Sequence, residues 1–292
     1  SRPRRGWHTA VVVSERRFHQ VDVFGEAPFA GNPLAVIVDG DGLDTETMQR
    51  IARWTNLSET TVLLPPSDPA ADYRVRIFTL FGELPFAGHP TLGSAAVWLA
   101  AGGAPRADGV VVQECGIGLV TVRTDGDALA FAAPPLIRGG PPTAEEVADA
   151  CDVLRIRPDE IVDARWIDNG PGWIGILLDD ADAVLAVAPA GTVDRVVAIG
   201  VVGPHAAEVD AVYEVRAFFS DDTGAVREDP VTGSLNASVG QWMIASGRAS
   251  PPFTARQGTA IRRRGVIHVS GGDDRLWIGG AVTPTVVGTI RT

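Results

Sequence analysis

The sequence contains no lysine: all 25 of its basic side chains are arginines. No side chain is therefore available to form a Schiff base with pyridoxal phosphate or a carbonyl substrate, and a phosphate-loop lysine is equally excluded. Cysteine is almost absent. Two residues, Cys115 and Cys151, build neither a disulfide scaffold nor a multi-cysteine zinc site. The five histidines, at 8, 19, 89, 205 and 268, show neither H-E-x-x-H nor H-x-H spacing. No metal or organic cofactor is expected. The Gly139-Gly140 stretch lacks the G-x-G-x-x-G pattern of a dinucleotide site.

Long apolar runs are missing too. Ala95–Ala101 is far shorter than the ~20 residues of a membrane helix, so no membrane partner is expected. Near the N-terminus, Arg2, Arg4 and Arg5 precede only a short apolar run, Ala10–Val13, too short for a signal peptide; the expected location is the cytoplasm. A net charge of -11 argues against nucleic acid as a partner, because such binding relies on neutralising phosphates. The Arg262–Arg264 triplet reads as a solvated turn.

With 45% hydrophobic and 21% charged residues, the composition is that of a globular protein, and 292 residues suggest two domains. An internal repeat supports that division. At an offset of 140, seven of 23 positions are identical between 72–94 and 212–234, including Tyr73/Tyr213, Arg76/Arg216, Phe78/Phe218, Pro90/Pro230 and Gly93/Gly233. The offset also lays 36–39 on 176–179.

Each half reads as a strand, a Gly- and Pro-punctuated loop and an apolar helix. In Tyr73–Thr79, Val75 and Ile77 share one face while Arg74, Arg76 and Phe78 share the other. The run Ala95–Leu99 ends at Gly102-Gly103, and Leu235–Ala245 ends at Gly247; helices apolar all round are buried helices. Residues 18–24 and 34–38 read as a strand pair, and 110–112 and 119–123 flank a turn at Cys115–Gly118. Residues 44–54 form an amphipathic helix capped by Asp44, with Met48, Ile51 and Ala52 inward; 145–153 is a second outer helix. The expected fold class is α+β, with two pseudo-symmetric domains, each a barrel-like sheet wrapped around a central helix.

Helix N-termini carry unpaired N–H groups and partial positive charge. Two related helix starts facing each other make a cleft suited to a carboxylate or an enolate-like intermediate. The ungapped repeat gives His89 and Asp229 the same position, just before proline, and makes them candidates for proton handling or substrate orientation. The alternative is a loop histidine and an N-cap aspartate. Glu59 enters an apolar strand, 62–64, where desolvation would raise its pKa; a surface glutamate is the competing reading. Cys115 reads as a turn residue without a repeat partner, since position 255 is Ala255.

Several blocks resemble the phenazine-biosynthesis PhzF-like isomerase family of the diaminopimelate epimerase-like superfamily. They are Val21-Asp22-Val23-Phe24, Pro28-Phe29-Ala30-Gly31-Asn32-Pro33, 56–60, Arg76-Ile77-Phe78-Thr79, 83–93, 115–120 and Glu228-Asp229-Pro230-Val231-Thr232-Gly233-Ser234. The resemblance implies the same two-domain fold with the active site between domains. It places the first domain at 18–132, completed by a strand from 281–292, and the second at 133–280, after an N-terminal extension, 1–17, expected to be disordered. Epimerases of the superfamily carry cysteines at the two helix starts; here those points carry His89 and Asp229, which excludes a cysteine pair.

The resemblance further implies a homodimeric enzyme without cofactor or metal. It would move a proton and a C=C bond in a small conjugated carboxylic acid of antibiotic biosynthesis, such as a phenazine or alkyl-proline precursor. Glu59 would shuttle the proton, with His89 and Asp229 orienting the substrate. Ser58, Gly88, Gly233 and Ser234 would bind it. The chain departs from the family pattern at Leu80-Phe81. A non-catalytic acid-binding relative, or a racemase without a cysteine pair, is the alternative.

Overall fold

The computed structural model describes residues 14–125, 128–221, 223–272 and 274–292. The first half runs β1 (Glu15–Val23), β2 (Asn32–Ile37), α1 (Thr45–Thr55), β3 (Glu59–Leu64), β4 (Tyr73–Phe78), β5 (Glu83–Leu84) and α2 (Gly88–Ala100). It continues with β6 (Val110–Cys115), β7 (Gly118–Asp125) and β8 (Ala128–Ala132). The second half comprises β9 (Arg138–Gly140), α3 (Ala144–Leu154), β10 (Asp163–Asp168), β11 (Ile174–Leu177), α4 (Ala181–Ala186), β12 (Ala198–Pro204) and β13 (Tyr213–Ser220). It ends with β14 (Val226–Asp229), α5 (Gly233–Ala245), β15 (Phe253–Gln257), β16 (Gly265–Gly272) and β17 (Arg275–Arg291).

The fold is α+β with a closed eight-strand barrel. Its ring runs β1–β2–β3–β4–β6–β7–β8–β17 and returns to β1. A second ring follows the same alternation of antiparallel and parallel pairings through β10–β11–β12–β13–β15–β16–β17. It is completed by β8, which pairs with β17, and by β9, which pairs with β10. Pro134-Pro135 separates these two segments; proline cannot donate to a strand ladder, so one continuous strand is not available there. β17 belongs to both rings: Trp277–Ala281 pairs with β8, and Val282–Arg291 with β1.

Alternation decides what faces inward. Tyr73, Val75 and Ile77 of β4 pack with Leu92, Ala95 and Val97 of α2. Tyr213, Val215 and Ala217 of β13 pack with Leu235, Ala237 and Val239 of α5. These residues form one continuous core across both halves, in which α2 and α5 are apolar on nearly every face. The outer helices are amphipathic. α1 is capped by Asp44, which accepts from the Thr47 N–H at 2.7 Å, and it buries Met48, Ile51 and Ala52 against Phe78. α3 begins with a Thr143/Glu146 capping box.

Two expectations need correction. β1 begins at Glu15, so residues 15–17 are strand rather than extension; residues 1–13 lie outside the described residues. The repeat is not ungapped. Phe78 and Phe218 correspond at 140, but Phe78 faces Glu83 whereas Phe218 faces Glu228. The hairpin from Phe218 to Glu228 is five residues longer than the one from Phe78 to Glu83, so the offset becomes 145 from there onward. Gly88 and Gly233 open their helices, and the ion pairs Arg76–Glu83 and Arg216–Glu228 match. The identities at Pro90/Pro230 and Gly93/Gly233 are coincidences of the shorter offset. By strand register, Tyr73 lies beside Gln113 and Tyr213 beside Ala255, so Cys115 corresponds to Gln257, not Ala255.

Candidate active site

The starts of α2 and α5 meet. A Cβ on Gly88 would lie 3.0 Å from the Gly233 Cα and 2.7 Å from the Phe131 ring; one on Gly233 would lie 2.9 Å from the Gly88 Cα. Only glycine permits this approach. Neither helix has a side-chain cap, because Ala87 precedes α2 and the Thr232 hydroxyl is turned elsewhere. Two sets of first-turn N–H groups therefore converge without side-chain partners, an anion-binding arrangement.

Around this point the structure brings Glu59, His89 and Asp229 together. The reason differs from matched helix positions. His89 is the second residue of α2, whereas Asp229 ends β14 ahead of the turn that leads into α5. The residue of α5 that corresponds to His89 is Ser234. Pro90 sits in the first turn of α2, as expected, but Pro230 lies outside α5.

Glu59 opens β3 and places its Oε2 3.3 Å from the His89 Nε2. Both atoms are buried without a hydrogen-bond partner. The Glu59 side chain is 15% exposed, against 5% for His89. Burial, reinforced by the negative charge of Asp229, pushes the Glu59 carboxyl up to about 8. Burial lowers His89 to about 3, so its imidazole is neutral at working pH. Asp229 is raised by burial to about 6, opposed by hydrogen bonds from Thr232 and Asn32. A carboxylic acid and a carboxylate thus share one site, with Glu59 the member that keeps its proton longer.

Asn32, the first residue of β2, ties the group together. Its Nδ2 donates to Asp229 Oδ1 at 2.9 Å and to the Val231 carbonyl at 2.9 Å, and it faces His89 Nδ1 at 3.4 Å. A carbonyl only accepts, which fixes the orientation of the amide. The NH2 group then faces Nδ1 and offers it no acceptor, which favours the tautomer with the imidazole proton on Nε2, toward Glu59. Asn32 lies in the Pro28–Pro33 block, but its partners lie far along the chain, and no local pattern announces them.

The remaining expected residues also lie near the helix starts. Ser58 immediately precedes β3 and is half-buried. Gly88 and Gly233 form the junction of the two helices. The Ser234 hydroxyl accepts from the Trp173 indole N–H at 3.1 Å, and Asn169 Nδ2 donates to the Ser234 carbonyl at 2.9 Å. Because the indole N–H only donates, this bond leaves the Ser234 hydroxyl proton available to another acceptor. Trp173 and Asn169 escaped the sequence reading for the same reason as Asn32.

Cys115 stands in the β6–β7 turn with its Sγ 3.6 Å from the Gly118 carbonyl, outside this group. Phe81 is 53% exposed, in a turn tied to α1 by bonds from Gln49 to the Thr79 carbonyl and from Arg53 to the Leu80 carbonyl. Among the described residues, no cluster of three or more His, Cys, Asp or Glu side chains is placed to hold a metal ion. Among them, too, no helix is long and apolar enough to cross a membrane.

The family described as phenazine biosynthesis-like protein (PhzC-PhzF) matches residues 21–284. Antisense-enhancing sequence 1 of Schizosaccharomyces pombe is 36% identical over 273 residues, covering 88% of this chain and 91% of that protein. Trans-2,3-dihydro-3-hydroxyanthranilate isomerase of Pseudomonas aeruginosa is 53% identical over 79 residues, covering 27% of this chain and 28% of the enzyme. The crystal structure of a phenazine biosynthesis PhzF-family protein from Enterococcus faecalis superposes with a TM-score of 0.76 at 25% identity, covering 95% of this chain and 99% of that one.

Proposed function

Because the chain belongs to the phenazine biosynthesis-like (PhzC-PhzF) family, we propose that it is an isomerase in which Glu59 carries one proton between two carbons of a small conjugated carboxylic acid. The observation that carries this reading is the place of Glu59. Its carboxyl, raised to about 8, stands beside the anionic Asp229 and the neutral His89, where two uncapped helix starts meet. A group that titrates near neutrality gives and takes a proton with similar ease.

In the reaction, protonated Glu59 gives its proton to one end of a conjugated C=C system. As a carboxylate it then removes a proton from another carbon, so the double bond shifts and the composition is unchanged. N–H groups of Gly88, Gly233 and Ser234 bind the substrate carboxylate. Ser58, His89 and Asp229 bond the polar substituents. Such proton transfer requires neither metal nor organic cofactor. The substrate class fits specialised-metabolite biosynthesis, in which unsaturated cyclic acids are intermediates.

The test uses trans-2,3-dihydro-3-hydroxyanthranilate as the first probe, followed by unsaturated proline-type acids, in deuterated water. Solvent deuterium should enter the isomerised acid with the wild-type protein and not with Glu59→Gln. General acid–base groups contribute about 10²–10⁴-fold. Turnover of Glu59→Gln within about threefold of wild type would remove Glu59 from the role, and binding without exchange by the wild type would make the protein a carrier.

A further inference from the structure

The turn between β14 and α5 contains a hydrogen-bond chain whose direction is fixed at every link. Gln257, the last residue of β15, is fully buried. Its Oε1 accepts from the Thr232 N–H at 3.0 Å, and its Nε2 donates to the Asp229 carbonyl at 3.0 Å. A backbone N–H only donates and a carbonyl only accepts, so the amide has one possible orientation. Asn236 Nδ2 adds a bond to Oε1 at 2.6 Å. The Gln257 Nε2 also donates to the Thr232 Oγ1 at 3.0 Å. That hydroxyl has a single proton, and its remaining close partner is Asp229 Oδ2 at 2.5 Å. With Asp229 ionised, the proton lies on the line from Thr232 to Asp229.

We infer that Gln257 and Thr232 are positioning residues, a one-way relay of N–H and O–H bonds that holds Asp229 as the anionic member of the cluster and so leaves the movable proton to Glu59. The inference rests on the proposed role of Glu59. A donor aimed at a carboxylate favours its charged form, and a hydroxyl free to rotate could equally accept from a protonated one. The bond from Gln257 occupies one of the hydroxyl's two lone pairs and so biases it toward donating to Asp229. Asn32 supplies the matching donor to Oδ1, so both oxygens of Asp229 are held by donors. The other titratable groups around Asp229 are Glu59 on β3, His89 on α2 and Glu228 on its own strand, the last paired with Arg216 of β13. Arg262–Arg264 lie in the neighbouring β15–β16 turn.

The experiment is a titration of Asp229 by carbon NMR in the full chain without substrate. The protein is labelled at the aspartate carboxyl carbon, and the signal is identified by its loss in Asp229→Asn. Thr232→Val should raise the pH at which Asp229 titrates by about one unit, a tenfold change in proton affinity; Thr232→Ser should leave it unchanged. If Thr232→Val does not fold, Thr232→Ala gives the same reading. A wild-type titration in the variant lacking the hydroxyl, or an equal rise in Thr232→Ser, overturns the relay. A Gln257→Leu protein that titrates like wild type overturns the part assigned to Gln257. None of these readings depends on turnover. The Glu59 assignment fails separately, if Glu59→Gln keeps its activity.

Discussion

Asn32 and Asp229 stand 197 residues apart in the chain and share a 2.9 Å hydrogen bond. One comes from the first strand pair of the first half and the other from the end of β14, ahead of the last helix. Asn32→Ala leaves the Asp229 Oδ1 and the Val231 carbonyl without their buried donor, which costs about 1–3 kcal/mol. Denaturant unfolding should show that loss, and kcat/KM should fall at least tenfold as His89 loses its orientation. Stability and activity both unchanged would refute the linking role of Asn32.

The raised carboxyl of Glu59 predicts a pH dependence of stability. The folded protein keeps this proton up to about pH 8, whereas an unfolded glutamate releases it near its ordinary 4.5. Between those values the folded state binds more protons, so stability is greatest below about 4.5 and falls as pH rises toward 8. Glu59→Gln removes this contribution. Its melting temperature should decline less between pH 5 and 8 than that of wild type. A residual slope is expected from Glu214, which burial beneath His205 raises to about 7. Parallel wild-type and variant curves would contradict the assignment.

Gly88→Ala and Gly233→Ala each insert a methyl group where the two central helices touch. The new Cβ would meet the Phe131 ring at 2.7 Å or 3.2 Å, and the facing glycine Cα at 3.0 Å or 2.9 Å. Overpacking of this kind costs about 1–3 kcal/mol. Both proteins should melt earlier, with activity reduced because the two sets of N–H groups move apart. An alanine protein with wild-type melting and turnover would show that the helices do not meet so closely in solution.

Trp173→Phe keeps an aromatic ring and removes the N–H that donates to Ser234, together with part of the buried indole. The hydroxyl proton is then no longer kept available to the ligand. KM should rise about five- to tenfold with little change in kcat. A fall in kcat at constant KM would place Ser234 in the chemical step instead.

Cys115→Ser should retain activity within about a factor of two, since its Sγ faces the Gly118 carbonyl in a turn outside the cluster. Larger loss, measured as initial rate, would bring the thiol into the site.

Periodicity made the architecture legible. Val75 and Ile77 alternating with Arg74, Arg76 and Phe78 gave a strand with an inner and an outer face, and the charge-free helix runs gave the two buried centres. Register was less accessible, because the five extra residues between Phe218 and Glu228 are invisible to an ungapped comparison. Glu59, His89 and Asp229 were identified and do converge, though the pairing of His89 with Asp229 through matched helix positions was an artefact of that comparison. Asn32, Gln257 and Trp173 act through partners brought close only by the folded chain. A buried amide with fixed donors leaves no periodic trace in sequence.

The double membership of β17 bears on how the chain is made. Glu15 and Arg291 are ladder partners, and Ser14 and Thr292 exchange two backbone bonds, so the first ring shuts with a strand that follows all its others in the chain. During synthesis β1 waits, one edge paired to β2 and the other open, until β2 to β16 have been made and β17 arrives. Pairing across such separation is slow and exposes an edge to other chains. The ring that opens with β1 is therefore sealed only after the other strands of the second ring have been made.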